Sequence, residues 1–312
     1  MKSKLFTIAT LMAFIFVVSC AGSPGVSPRG ELPIPALPPV EMVWVSGGTF
    51  ELGREVGTAG FGDAPPVSTV TLAGFYLGRF PITQTQFHAV MGRNPSAFTT
   101  ANGFPPMSGE MEGNRPVESV SWYDAMVFSN RLSIINGLTP AYEMPSAADP
   151  NVWSTNPDAW GPIPSSTDPR WDSVRIVPGS TGYRLPTEAQ WEFAAKGGVN
   201  GGNYTFAGSN IPSEVAWWLG NSGYTTRPVG LLRANALGLH DMSGNVWEHV
   251  WDWFGPYTAE PKTDPTGPSS GSARVVRSSA WANLLFGHRA IVRSLIAPAY
   301  RAHYYGFRVA RP

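Results

Sequence analysis

The sequence predicts an α+β fold, rich in loops, with few short helices and short antiparallel strands. Three observations carry this. The 34 glycines and 30 prolines punctuate the chain densely, and 12 tryptophans against only 14% charged residues describe aromatic packing, not a helical bundle. Helix start signals of the capping-box kind stand at three places past residue 41, and the strand candidates are brief runs bounded by glycine.

Each element follows from local sequence. Thr83-x-x-Gln86 opens a helix that runs to Met91. Ser121-x-x-Asp124 opens one to Ile135, closed near Gly137, with Trp122, Ala125, Met126, Ser129 and Leu132 on one stripe. Thr187-x-x-Gln190, after Pro186, opens a third to Lys196, closed by Gly197-Gly198. Strands are expected over 42–45 and 49–52 on either side of a Gly47-Gly48 turn, then over 67–77, at Val275-Val276 and over 307–310. Between Thr139 and Ser180 the chain is dense in Pro, Trp, Asp and Ser, which reads as a long surface excursion. No repeat of fixed period occurs.

With 312 residues and 43% hydrophobic content the chain can bury a sizeable core. Acidic and basic residues balance at 22 each, so net charge points to no nucleic acid and no polyanionic partner. Lys2 and Lys4 precede an apolar run to Val18, too short to span a bilayer comfortably, which reads as a signal peptide over 1–19. The only cysteine, Cys20, follows Val-Val-Ser and is the expected lipidated first mature residue. A Pro-rich tether over 20–40 and one domain over 41–312 complete the organisation.

Six ordered motifs in the domain resemble one family. They are Met42-Val-Trp-Val-Ser-Gly-Gly-Thr-Phe50, Val70-Thr-Leu-Ala-Gly-Phe-Tyr-Leu77 running into Pro81-Ile-Thr83, and Pro116-Val-Glu-Ser-Val-Ser-Trp-Tyr-Asp-Ala125. Tyr183-Arg-Leu-Pro-Thr-Glu-Ala-Gln-Trp-Glu-Phe-Ala194 and Gly238-Leu-His-Asp-Met-Ser-Gly-Asn-Val-Trp-Glu248 follow, and Arg274-Val-Val-Arg277 with Gly306-Phe-Arg308 ends the set. This pattern is similar to that of the formylglycine-generating-enzyme or sulfatase-modifying-factor domain, which implies a variant of the C-type lectin fold. Fold alone does not give activity.

In the family's enzymes, C-terminal thiols bind copper and oxidise a substrate cysteine, chemistry that needs a thiolate. This chain has no cysteine after Cys20, so no catalysis and no catalytic cofactor are expected. The resemblance also implies one structural calcium at Asp241, Gly244, Val246 and Glu248, an all-oxygen set. The other reading is that Asp241 and Glu248 only accept backbone N–H bonds in a tight turn.

The last motif encloses an unusual stretch. Arg274, Arg277, Trp281, Arg289, Arg293, Pro298, Arg301, Gly306, Phe307 and Arg308 sit where the family has such residues and read as scaffold, the arginines paired to carboxylates or carbonyls. The filling over 278–305 is different. It comprises Ser278, Ser279, Ala280, Ala282, Asn283, Leu284, Leu285, Phe286, His288, Ile291, Ser294, Leu295, Ile296, Ala297, Ala299, Tyr300, Ala302, His303, Tyr304 and Tyr305. No Lys, Glu, Gln, Met or Trp occurs between Ala282 and Tyr305. Codons beginning adenine-adenine-pyrimidine and randomised at their adenines cannot encode those five types. The pattern resembles the variable lipoproteins of diversity-generating retroelements, the treponeme class among them, which end in a C-type lectin domain with the varied residues near the C-terminus.

The fillers show neither helical nor strand spacing, so one core face cannot take them all, and an outward-facing ligand-binding patch is the expectation. Tyrosines would give it large contact area at small entropic cost. The expected protein is therefore a monomeric, lipid-anchored lipoprotein of the bacterial outer membrane surface, binding a macromolecule, a protein in the first instance. An enzyme or activator of the sulfatase-modifying type is the alternative. So is a carbohydrate-binding lectin, although no Glu-Pro-Asn or Gln-Pro-Asp sugar motif is present.

Overall fold

All three helix start signals open helices. In the computed structural model, which describes residues 37–56 and 64–312, these are α1 (Gln84–Met91), α2 (Trp122–Ile135) and α3 (Glu188–Ala195). Each carries a complete capping box, from Thr83 to Gln86, Ser121 to Asp124 and Thr187 to Gln190. That reciprocal pair satisfies orphan N–H groups at the first turn, which is why the starts are fixed by sequence. Two more helices are single turns, Pro169–Asp172 and Pro212–Val215.

The strands are short and pair far along the chain. β1 (Met42–Val45) lies antiparallel to β4 (Phe75–Gly78), whereas β2 (Gly48–Leu52) lies antiparallel to β3 (Ser68–Leu72). The Gly47-Gly48 step is therefore not a hairpin turn, as the sequence suggested, but a crossing between two sheets. A Cβ on Gly47 would stand 2.5 Å from the Leu72 carbonyl, so the close approach explains the glycine. The expected strand over 67–77 divides at Ala73-Gly74 for the same reason, each half belonging to its own sheet.

A four-stranded sheet carries the C-terminal stretch. Its strands are β5 (Trp247–Trp253), β6 (Arg274–Arg277), β7 (Arg293–Ile296) and β8 (Tyr305–Phe307), in the order β7-β6-β5-β8. β7 and β6 pair antiparallel, with Leu295 opposite Val275, and β8 runs parallel to β5. The run over 307–310 also divides, since β9 (Ala310–Arg311) returns to β4 in the first sheet.

Among the described residues two large apolar clusters fill the interior, with a third, small one of Phe98, Ala280 and Trp281. One gathers α1 and α2 against Phe307 and Val309, the other surrounds α3 with Val45, Leu77, Val250 and Val275. Trp122 Nε1 donates to the Val250 carbonyl at 2.9 Å and joins α2 to β5. The stretch from Thr139 to Ser180 is not the surface excursion expected. Tyr142, Trp160 and Trp171 are fully buried in the first cluster, because the apolar area of such rings favours burial over an open loop. The signal segment, Cys20 and the tether up to residue 36 lie outside the described residues. Residues 35–312 form one compact unit. No helix among the described residues is long and apolar enough to cross a membrane.

Candidate functional site

The scaffold arginines have the partners their chemistry demands. Arg277, on β6, gives Nη1 to Glu188 at 3.0 Å and Nη2 to Glu192 at 2.7 Å, joining α3 to the sheet. Burial pulls the pKa of this guanidinium down, and the charges of Glu192, Tyr257 and Glu188 outweigh that and raise it. Arg293 binds Glu188 through both Nε, at 2.8 Å, and Nη2, at 2.7 Å. Arg301 reaches Asp124 at 2.7 Å, and Arg289 reaches Glu55 at 3.0 Å. Among the described residues Arg274 has no carboxylate within hydrogen-bond reach, and its Nη1 donates to the Trp251 carbonyl at 2.8 Å. It lies between the rings of Trp122 and Trp253, 3.6 and 3.4 Å from their centroids, and burial lowers its pKa to about 9.

On this frame the fillers separate into three groups. Leu284, Phe286, Leu295 and Tyr300 are 50–59% exposed, and Ala297 is exposed with them. Ala282, Asn283, Leu285, Ser294, Ile296, Ala302, His303, Tyr304 and Tyr305 are half-buried. Ser278, Ser279, Ala280, His288, Ile291 and Ala299 are buried, against the expectation that the whole set faces outward. For Ser278, Ser279 and Ala280 the cause is local backbone geometry, whereas Ala299 joins the cluster around α1 and α2. Ser278 and Ser279 hold φ of 83° and 71°, which turns the chain inward after β6. Ser278 Oγ then donates to the Gly244 carbonyl at 3.1 Å, and His288 sits between the Leu284 and Ala280 carbonyls at 3.1 and 3.2 Å.

The half-buried aromatics are brought together. Trp281 stacks on Tyr304 at 5.6 Å, His303 lies 4.1 Å from Tyr304, and Tyr305 contacts Tyr300 at 6.0 Å. Phe98 supports this row edge-on against Trp281 at 5.1 Å. Its backbone is fixed by buried Glu118, which accepts the Phe98 N–H at 2.9 Å, and by Arg115, which donates to its carbonyl. Phe98 is a contributor that sequence reasoning missed, being nearly two hundred residues distant with no local signal, and Glu118 stood in a family motif without this role being visible. Leu284 and Phe286 project from the turn Leu285–His288, and Leu295 from β7; no ring stacking or hydrogen bond joins them to the tyrosines among the described residues.

Asp241, Gly244, Val246 and Glu248 do not fit a calcium cage. Glu248 Oε2 accepts from Arg308 Nε at 2.7 Å and Trp191 Nε1 at 2.8 Å, while Oε1 accepts from Arg308 Nη2 at 2.7 Å. A guanidinium thus stands where the divalent cation would neutralise the carboxylate. Asp241 Oδ2 accepts the Gly230 N–H at 2.8 Å, and the Gly244 carbonyl is engaged by Ser278. Burial raises the pKa of Asp241, partly offset by the Gly230 N–H and Arg308.

A cavity of about 470 Å³ opens beside Arg293, walled by Leu52, Trp253, Tyr257 and Pro268 with Glu188 and Asp252 at its polar end. Burial, and then the charge of Glu188, push the Asp252 carboxyl up to about 7. Asp252 Oδ2 accepts the Glu188 N–H at 2.7 Å.

Residues 32–312 match the sulfatase-modifying factor enzyme 1-like domain. The chain belongs to the sulfatase-modifying factor family. The chain is 36% identical over 268 residues to Chaperone protein LppX of Paenibacillus barcinonensis, covering 80% of this chain and 83% of the relative. It is 30% identical over 323 residues to the formylglycine-generating enzyme of Thermomonospora curvata, covering 91% and 98%. Among solved structures, Treponema denticola variable protein 1 superposes with a TM-score of 0.74 at 35% identity, over 87% of this chain and 95% of that one. The fold is accordingly the C-type-lectin-like fold of the sulfatase-modifying factor family, as the motifs implied.

Proposed function

We propose that this family member is a lipid-anchored surface protein that binds a macromolecular ligand, a protein, through the exposed part of its C-terminal stretch, and catalyses no reaction. One observation carries the reading. Leu284, Phe286, Leu295 and Tyr300 are held at least half exposed on a backbone that buried ion pairs have already fixed. Apolar side chains so displayed mark contact sites, and rigid presentation lowers the entropic cost of binding. The likeness to a treponeme variable protein supports diversification of these positions. Attachment through Cys20, with the Pro-rich tether behind it, would present the patch at the outer membrane surface.

Replacing Leu284, Phe286, Leu295 and Tyr300 together by Asn should abolish capture on a protein array and change stability by less than about 0.5 kcal/mol per site. Ile291→Ala, inside the fold, should cost about 2 kcal/mol or more. Equal losses at exposed and buried sites would mean that the patch is core. Capture of glycans in place of proteins would favour the lectin alternative. The DNA should also carry an adenine-rich near-copy of the segment coding for 278–305 beside a reverse transcriptase gene.

The 30% identity to a formylglycine-generating enzyme favours a second reading, an enzyme that works without thiols. Oxidation of a Cys-x-Pro-x-Arg peptide to formylglycine by the purified protein would establish that reading and overturn the first.

A further inference from the structure

The cavity beside Arg293 is separate from the C-terminal patch, since none of Leu284, Phe286, Leu295 and Tyr300 lines it. At about 470 Å³ it falls within the size range of small-molecule sites, roughly 300–1,000 Å³. Leu52, Trp253, Tyr257 and Pro268 give it apolar walls. Of the charged groups at its polar end, two are fully engaged. Arg293 donates Nε and Nη2 to Glu188 and Nη1 to the Gly255 carbonyl, while Glu188 also accepts from Arg277 Nη1 and from the Tyr257 hydroxyl at 2.8 Å.

Asp252 is the exception. It is only 4% exposed, yet among the described residues its one hydrogen bond is the Glu188 N–H on Oδ2, and no cation stands within ion-pair distance of it. Its Oδ1 has no protein partner among them and is not sealed from the cavity. Gly267 shares that wall, and a Cβ there would stand 2.9 Å from Oδ1, so the glycine, at φ 79°, keeps the space before this oxygen clear. A buried carboxylate needs a counter-ion or else takes up a proton. In the free protein Asp252 takes the proton, burial and then the Glu188 charge pushing its carboxyl up to about 7.

We propose that this cavity binds a small organic cation, an ammonium or amidinium on an apolar body, whose N–H groups bind Asp252 Oδ1 while the body packs on Leu52, Tyr257 and Pro268. The cation supplies the counter-ion that Asp252 lacks. It displaces the carboxyl proton to solvent and keeps its own, and the resulting pair is a charge-assisted hydrogen bond. An anion would meet Glu188 and Asp252 together, and a neutral molecule would leave the carboxyl protonated. The charges facing Asp252 are Glu188 on α3, Arg293 on β7 and Arg274 on β6. Lys262 also lines the cavity, with its charge acting on Glu260.

The test titrates the full chain by calorimetry with phenethylammonium, and with phenethyl alcohol and phenylacetate as the neutral and anionic counterparts. Phenethylammonium should bind at least tenfold more tightly than either. Its binding should release protons at pH 7, read from the dependence of the heat on the buffer's ionisation enthalpy. Affinity should rise about tenfold from pH 6 to pH 8, because a carboxyl of pKa about 7 must ionise to pair. Asp252→Asn, whose amide oxygen can still accept the Glu188 N–H, should weaken binding at least tenfold and abolish the proton release. Three results would overturn the proposal: no binding of phenethylammonium at millimolar concentration, equal binding of phenethyl alcohol, or binding without proton release. If Asp252→Asn fails to fold, the proton release of the unmodified chain decides alone. Capture on a protein array does not enter this test, so the patch and the cavity stand or fall separately.

Discussion

Ser278 and Ser279 occupy the left-handed region that favours glycine, and the Oγ of Ser279 is buried with no hydrogen-bond partner among the described residues. A non-glycine residue there costs on the order of 1–3 kcal/mol, and an unpaired buried hydroxyl adds to it. Ser279→Gly should therefore stabilise the protein by about 1 kcal/mol, the gain reduced by the greater freedom of glycine in the unfolded chain. Denaturant midpoints of the two chains measure it. A destabilised variant would mean that Ser279 Oγ has a partner such as ordered water. These two residues also explain part of what was not legible in the C-terminal stretch. The composition marked 278–305 as unusual, and the scaffold arginines could be told from the fillers, but neither the two positive φ angles that turn the start of the stretch inward nor the long-range packing that takes in Ala299 has a sequence signature. Leu284 and Tyr300 are exposed, whereas Ala280, Ile291 and Ala299 are buried.

At the scale of elements, the helices were legible because a capping box is local, closing within four residues. The strands were legible only in part: 42–45, 49–52 and 275–276 were found, 67–77 and 307–310 each divide, and the strands at Trp247–Trp253 and Arg293–Ile296 gave no signal. Nothing near Gly47 says that β1 meets β4 and β2 meets β3, since those partners lie more than fifteen residues away. The motif around Asp241 shows the same limit, because its decisive partner, Arg308, is 60 residues beyond Glu248. With both carboxylate oxygens of Glu248 bound to that guanidinium, a chelator should leave the melting temperature unchanged. Arg308→Ala should cost about 3–5 kcal/mol by leaving a buried carboxylate unpaired. A fall of several degrees on chelation of the unmodified chain would show instead that calcium displaces Arg308 from Glu248.

For the whole molecule, two buried groups make stability depend on pH in opposite senses. Burial and the Glu188 charge raise Asp252 to about 7, against an ordinary value of 3.8. Between these values the folded chain holds a proton that the unfolded chain has lost, so stability falls as pH rises. Burial lowers His249 from 6.5 to about 4, with Nε2 near the Val120 carbonyl at 3.2 Å and Nδ1 without a partner among the described residues. There the unfolded chain holds the extra proton, so stability rises with pH. The slopes cancel from about pH 4 to pH 6.5, each being at most about 1.4 kcal/mol per unit. Asp252→Asn removes one of them, and its amide oxygen can still accept the Glu188 N–H. Glu188, Arg293 and Arg274 act on Asp252 in both chains' surroundings, so the difference between variant and parent isolates the carboxyl. That difference should grow in favour of the variant as pH rises from 4 to 7 and level off above. Chemical denaturation at half-unit steps reads it directly, and a flat difference would mean that Asp252 titrates as an ordinary carboxyl, with water reaching it through the cavity beside β7.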